Sequence, residues 1–404
     1  MIFKDITNKT DYVLIILFSL IFISAAFKPF IDYFSLVPHY QVITVLQFFT
    51  LVIFITLFNK TFYRKIDYLS FFLLLYILIR FTIGAINDII EGDIYGIVSS
   101  LYVVLRTFLI VYLFQMLSPS QRGVEFYEAL KSLIIGYFIV TFIYSIMQYP
   151  AIFDISWIRG FGGNSTSGNA FGFFRTNGGI GGTVIDYANF LLAISWLLIF
   201  TPFKNKKVQF IFLVILAASV FFCFSRSLFL SLLFIFMVYF FSSKNVFNIA
   251  IKFVLINIAI LLLLINIDFL IDLYKVWSGD SDIYRLSQWK SLFDGFSLGE
   301  YFVGKELGGN TGLFIDGSRY KISGDGFVTG FIYDAGIIGI LVIIAVLISK
   351  VFSLHCNFKI KVSIIGSLMI MLIVNSGFEK LFIVMTYIIS IVIIGGTYRY
   401  KAIK

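Results

Sequence analysis

Apolar residues in this chain come in long unbroken runs, at residues 13–27, 36–58, 68–86, 94–117, 130–149, 184–202, 208–224, 226–241, 249–267, 326–349, 361–376 and 381–396. Each run is near the ~20 residues that a helix needs to cross ~30 Å of hydrocarbon. The pattern therefore predicts an all-α polytopic membrane protein with about 12 transmembrane helices, built as a single transmembrane domain over 1–404. A strand of an outer-membrane barrel would alternate apolar and polar positions over about ten residues, and these runs do not alternate.

One place needs a decision. From Val208 to Phe241 the only charge is Arg226. A single helix of that length would extend about 51 Å at about 1.5 Å per residue, well beyond the hydrocarbon core. Lys204, Lys206 and Lys207 precede the run and Lys244 follows it, so both ends belong on the basic side and the number of crossings is even. Ser225-Arg226-Ser227 is then expected to be a tight outer turn.

Composition agrees with the pattern: 60% of residues are hydrophobic, 13% are charged, and the mean hydropathy is +0.98. Basic residues concentrate in the segments that are inner if the N-terminus is cytoplasmic, which places both termini in the cytoplasm by the positive-inside rule. The net charge of +9 follows from that orientation. It is spread over many loops and gives no support to nucleic-acid binding. The first run ends in Ser24-Ala25-Ala26, yet the spans that follow favour a retained helix over a cleaved leader. Cys223 lies in a span and Cys356 in an inner loop, so no disulfide is expected. His39 and His355 are too few and too far apart for a His-based metal site, so no metal and no cofactor is expected. No internal repeat of the kind that builds paired-half transporters is visible.

Two outer segments are long, 150–183 and 268–325, following the fifth and ninth spans. Long loops on a compact scaffold are usually functional or disordered. The first carries nine glycines between Gly160 and Thr183, with Arg175 among them. This reads either as backbone N–H groups exposed to a ligand or as a flexible linker. The second is rich in aromatic residues, including Tyr284, Trp289 and Tyr320, which favours an ordered loop. Within it Gly299-Glu300-Tyr301-Phe302-Val303-Gly304-Lys305-Glu306 imitates a phosphate-binding loop, but Glu306 stands where Ser or Thr should hold magnesium and no parallel sheet surrounds it.

Charges inside spans also call for explanation. Arg106 lies halfway along the fourth span and Arg80 in the outer half of the third. An uncompensated cation at such depth costs at least about 2.5–3.5 kcal/mol. Asp88, Asp93, Asp186 and Glu379 are the candidate acidic partners, and structural ion pairing is the plainer role for Arg80. On the outer side, Arg175, Arg226, Arg285 and Arg319 supply four guanidinium groups, suited to a pyrophosphate because each presents a planar fork of donors that stays charged.

At this point the chain resembles the Wzy-type O-antigen polymerases and the related O-antigen ligases. The resemblance lies in the topology and in four patches: Phe174-Arg175-Thr176-Asn177-Gly178 with Asp186-Tyr187-Ala188-Asn189; Ser225-Arg226-Ser227; Tyr284-Arg285-Leu286-Ser287-Gln288-Trp289 with Gly304-Lys305-Glu306-Leu307-Gly308; and Asp325-Gly326-Phe327 with Gly336-Ile337-Ile338-Gly339. The ligases place a histidine where Asp325 aligns, and no outer histidine follows His39, which favours polymerase over ligase. The Arg-x10-Gly pattern of some polymerases is met from Arg319 to Gly330, whereas Ala170 stands eleven residues after Arg159.

The resemblance implies a glycosyltransferase of the bacterial inner membrane, working without metal or cofactor in lipopolysaccharide biosynthesis. Its partners would be undecaprenyl-pyrophosphate-linked glycans, membrane lipids and a chain-length regulator protein. A hydroxyl of one lipid-linked repeat unit would attack the anomeric carbon of the growing chain, with inversion and loss of the lipid pyrophosphate. Arg226 and Arg285 would bind that pyrophosphate, assisted by Arg175 and Arg319, with Asp325 as general base and Glu379 as second candidate. Asp325 is alternatively a cap for the helix beginning near Gly326. Tyr284, Trp289 and Tyr320 would stack against sugars or simply pack the loop. The alternatives are an O-antigen ligase and a lipid-linked oligosaccharide flippase or solute transporter.

Overall fold

The computed structural model describes residues 9–33, 67–117, 122–149, 175–180, 184–201, 203–241, 287, 289–305, 307, 327–374 and 381–403. These residues fold as α1 Lys9–Tyr33, α2 Tyr68–Glu91, α3 Ile94–Met116, α4 Val124–Gln148, α5 Val184–Phe200, α6 Lys206–Cys223, α7 Arg226–Phe241, α8 Leu298–Val303, α9 Phe327–Phe352, α10 Phe358–Val374 and α11 Leu381–Ile403. No strand occurs among the described residues. Among the described residues six helices suffice in length and composition to cross a membrane, α2, α3, α4, α6, α9 and α11, and α5, α7 and Asp11–Phe27 within α1 are shorter apolar segments. The chain is a helical multi-pass membrane protein. Helices coincide with ten of the apolar runs; the runs 36–58 and 249–267 lie outside the described residues.

Helix α5 is the axis of the bundle: every residue from Val184 to Phe200 except Ile185 and Ile199 is buried. It packs on α11, α6, α7, α4 and α10. Between helices surrounded by lipid, hydrogen bonds and close packing replace the hydrophobic drive available in water. Three buried contacts do this here. The Trp196 indole N–H donates to Ser367 Oγ at 3.0 Å, Ser231 Oγ donates to the Ser367 carbonyl at 3.1 Å, and the Tyr387 hydroxyl donates to Asn189 Oδ1 at 2.8 Å. Together they tie α5 to α10 and α11, and α7 to α10. By contrast α2 buries only Ser70, Leu73, Ile77 and Asp88, as a peripheral helix does when most of its apolar surface faces lipid.

The bundle has two chemically different ends. At one, Arg122 before α4 pairs with Asp11 at the start of α1, and both are buried. Tyr127 donates to the carbonyl of Leu117 after α3 at 2.9 Å and packs its ring on Gly396 of α11. Lys350 near the end of α9 pairs with Asp67, the residue capping α2. Lys131 sits over the Phe203 ring at 3.8 Å, and Lys206 and Lys207 open α6. The opposite end holds the end of α4, residues 175–180 and the α6–α7 turn. There Tyr144 donates to the Ala26 carbonyl at 2.7 Å, and Tyr149 packs on Phe222 with ring centroids 5.2 Å apart.

Asp67 links helix capping to this order. Its burial raises the carboxyl pKa, but bonds from Lys350 and from the Ser70 N–H and hydroxyl outweigh that, and the net position is below the usual carboxylate value. A group depressed on folding contributes stability above its unfolded pKa and loses it as pH falls through the folded value. Acidification below about pH 4 is therefore expected to lower the thermal midpoint in detergent, and the fall should be smaller in Asp67→Asn. An equal fall in both proteins would remove Asp67 from the explanation.

Candidate functional site

The α6–α7 hairpin is tighter than its sequence suggests. Helix α6 ends at Cys223, Phe224 adopts the left-handed conformation (φ 43°, ψ 51°), and α7 opens at Arg226. The expected turn Ser225-Arg226-Ser227 is thus displaced: Phe224 and Ser225 make it, and Arg226 is the first residue of a helix. Backbone bonds cause this shift. The Phe224 N–H closes α6 on the Val220 carbonyl at 2.9 Å, while the Ser225 carbonyl already accepts the Phe229 N–H at 3.1 Å. The Ser225 and Ser227 hydroxyls meet at 3.0 Å. A cation in the first turn of a helix opposes the positive end of the helix dipole, so the position of Arg226 suits a site whose charge is completed by an anion.

Arg175 is brought to the same place. The Thr176 N–H donates to the Phe222 carbonyl at 3.0 Å, which fastens the segment beginning at Arg175 to the last turn of α6. Arg175 lies near the Cys223 thiol, three residues before Arg226. Gln148 at the end of α4 holds the segment from the other side: its Oε1 accepts the N–H groups of Asn177 and Gly178 at 3.1 and 3.2 Å, and its Nε2 donates to Asn177 Oδ1 at 2.6 Å. Gly178, at φ +59°, lies against the Tyr187 ring, where a Cβ would come within 2.7 Å. The glycine tract offers ligand-facing N–H groups in one reading of its sequence; at 177–179 those groups are satisfied internally, that of Gly179 by Asn177 Oδ1 at 3.0 Å. The segment holds the backbone that follows Arg175 on a fixed platform.

A second feature is a broken helix. The run 326–349 reads as one continuous span, but α9 breaks at Gly336, whose φ of 69° and ψ of −178° suit glycine alone. Helix α8 wedges into the break. Ser297 and Glu300 form a capping box that starts α8. Gly304 (φ +87°) then turns the chain so closely under α9 that a Cβ would lie 2.6 Å from the Asp334 carbonyl. A broken helix within hydrocarbon leaves carbonyls that need donors. The Tyr76 hydroxyl donates to Ala335 at 2.6 Å, and the Lys305 N–H donates to Tyr333 at 2.8 Å. Arg80 Nη2 donates to the Gly304 carbonyl at 3.1 Å, and Ser100 Oγ to that of Leu307 at 2.5 Å. The Lys305 backbone N–H is thereby spent on α9, and its ammonium lies 5.6 Å from the Phe296 ring centroid. Tyr76→Phe is expected to destabilise the protein by about 1–3 kcal/mol, the usual effect of orphaning a buried acceptor; an unchanged thermal midpoint would mean that Ala335 has another donor.

Arg80 has a structural task, and its charge neighbour is Asp334, which the sequence reading did not consider. Asp334 is buried in α9, where an acid inside an apolar run was the available signal. Arg106 differs. It is 2% exposed, its guanidinium carbon lies 5.6 Å from the Phe327 ring centroid and 5.9 Å from that of Phe331, and Nη1 has no hydrogen-bond partner among the described residues. Each desolvated ring contact offsets about 2 kcal/mol, so the two rings cover a cost of about 2.5–3.5 kcal/mol for the buried cation, but they give Nη1 no acceptor. Asp88 packs on Gly96, and Asp93 Oδ1 accepts the Gly96 N–H at 3.2 Å in the α2–α3 turn.

Of the remaining candidates, Trp289 lies in a helical stretch at 289–293 and is half-buried. Arg285, Arg319, Asp325, Glu379, Tyr284 and Tyr320 lie outside the described residues. Among the described residues no group of His, Cys, Asp and Glu is arranged to hold a metal ion. No protein family, curated protein or solved structure matches the chain.

Proposed function

We propose that the protein polymerises undecaprenyl-pyrophosphate-linked oligosaccharide repeat units into O-antigen or a related surface polysaccharide at the periplasmic face of the bacterial inner membrane. The lysine-rich end of the bundle is the cytoplasmic end by the positive-inside rule, which makes the end carrying Arg175 and Arg226 periplasmic. The observation that carries the reading is the bond from Thr176 to Phe222, which brings two arginines fifty-one positions apart to one end of the bundle. Two guanidinium groups and a helix N-terminus are a physically apt receptor for a departing pyrophosphate, with Arg285 and Arg319 completing it. An activated lipid donor already carries a good leaving group, so the protein chiefly orients the substrates and neutralises developing charge. Asp325, two residues before α9, is the proposed base for the acceptor hydroxyl, with Glu379 as the second candidate.

Deletion of the gene tests the reading. Loss of long-chain polysaccharide with single repeats still joined to lipid A is the polymerase phenotype. Loss of single repeats as well would replace polymerase with ligase.

A further inference from the structure

We propose that Arg106 and the opening turn of α9 form a buried oxyanion site that takes a phosphate or diphosphate group. It lies on α3 and α9, whereas Arg226 opens α7, and binding there does not depend on glycosyl transfer.

Three observations converge on it. Arg106 is buried to 98%, counting its 2% exposure, and a guanidinium stays charged at any physiological pH. Its contacts are the rings of Phe327 and Phe331, themselves stacked with centroids 5.2 Å apart. A ring accepts no conventional hydrogen bond from the guanidinium edge, and Nη1 has no hydrogen-bond partner among the described residues. That in-plane edge is the part that grips an oxyanion in a two-pronged fork. The aromatic contacts place the guanidinium beside the start of α9. Phe327 opens α9, and nine residues of helix precede the break at Gly336, so the positive end of a helix dipole adjoins the same guanidinium. A phosphate bound there would give Nη1 the acceptor that it lacks among the described residues.

The phosphate can be free or carried on a lipid, and binding to the purified full chain in detergent separates the two. The probes are inorganic pyrophosphate, undecaprenyl pyrophosphate and the uncharged undecaprenol, each followed by thermal midpoint and by titration. Stabilisation by inorganic pyrophosphate that Arg226→Ala keeps and Arg106→Gln weakens identifies a free-anion site at Arg106. Stabilisation by the lipid diphosphate alone identifies a lipid-borne group. Undecaprenol is expected to do nothing in either case. Arg106→Gln should weaken binding by at least about tenfold, and Arg106→Lys, which keeps the charge and loses the fork, by a smaller factor. A purely structural arginine would instead lower the ligand-free midpoint and leave affinity unchanged. Undiminished affinity in Arg106→Gln, or in Arg106→Lys should the glutamine variant not fold, overturns the proposal. So does a wild-type protein that neither charged probe stabilises.

Discussion

Arg226→Ala is expected to abolish long-chain polysaccharide, with the rate of chain extension reduced by about 10²–10³, the usual effect of removing one donor from a developing negative charge. The expectation comes from position. Arg226 is the first residue of α7, where the helix dipole disfavours a cation, and the bond from Thr176 to Phe222 sets Arg175 at the same turn. An anion between the two would gain from both guanidinium groups and from the helix end. Ser225, Ser227 and Leu228 are buried beside it and pack the turn. The variant should therefore reach the membrane in normal amount, and Arg226→Lys should recover part of the chain-length ladder. A wild-type ladder from Arg226→Ala would remove Arg226 from the site.

Gly336→Ala is expected to have the largest effect on folding. The backbone at φ 69° and ψ −178° is a region that side chains rarely enter, at about 1–3 kcal/mol for the conformation alone. A Cβ at Gly336 would also run into the backbone of Phe302, so the break could not form with α8 in place. Gly304→Ala meets the same wedge from the other side, against the Asp334 carbonyl. Both variants should show a fall of several degrees in thermal midpoint or fail to accumulate in the membrane. Gly136→Ala is the control. Nothing lies within 4 Å of its added Cβ, and a helical glycine replaced by alanine should leave stability unchanged or slightly higher. A Gly336→Ala protein as stable as the Gly136→Ala control would show that α9 can run straight.

Particular residues show how far the sequence could be read. The apolar runs located the helices because a bilayer imposes their length and composition, and charge parity located the α6–α7 hairpin to within a residue or two. The break in α9 was not legible. Gly336 stands in an apolar run where glycine is ordinary, and what makes it necessary is Phe302, thirty-four positions earlier and on another helix. Arg80 shows the same limit. Its partners are the Gly304 carbonyl and Asp334, which come near it only through folding. Of the proposed site, Arg175 and Arg226 could be chosen by residue type and by side of the membrane, whereas the platform under Arg175 could not, because Gln148 carries no signal of a role in holding backbone N–H groups.

Cell-free synthesis is the most direct test of the proposed activity, since in detergent no compartment remains for a transporter to act across. The purified protein, given undecaprenyl-pyrophosphate-linked repeat units and no nucleotide sugar, is predicted to produce a ladder of polymers and to release undecaprenyl pyrophosphate in step with each bond formed. Folded protein that leaves the repeat units unextended would contradict the account.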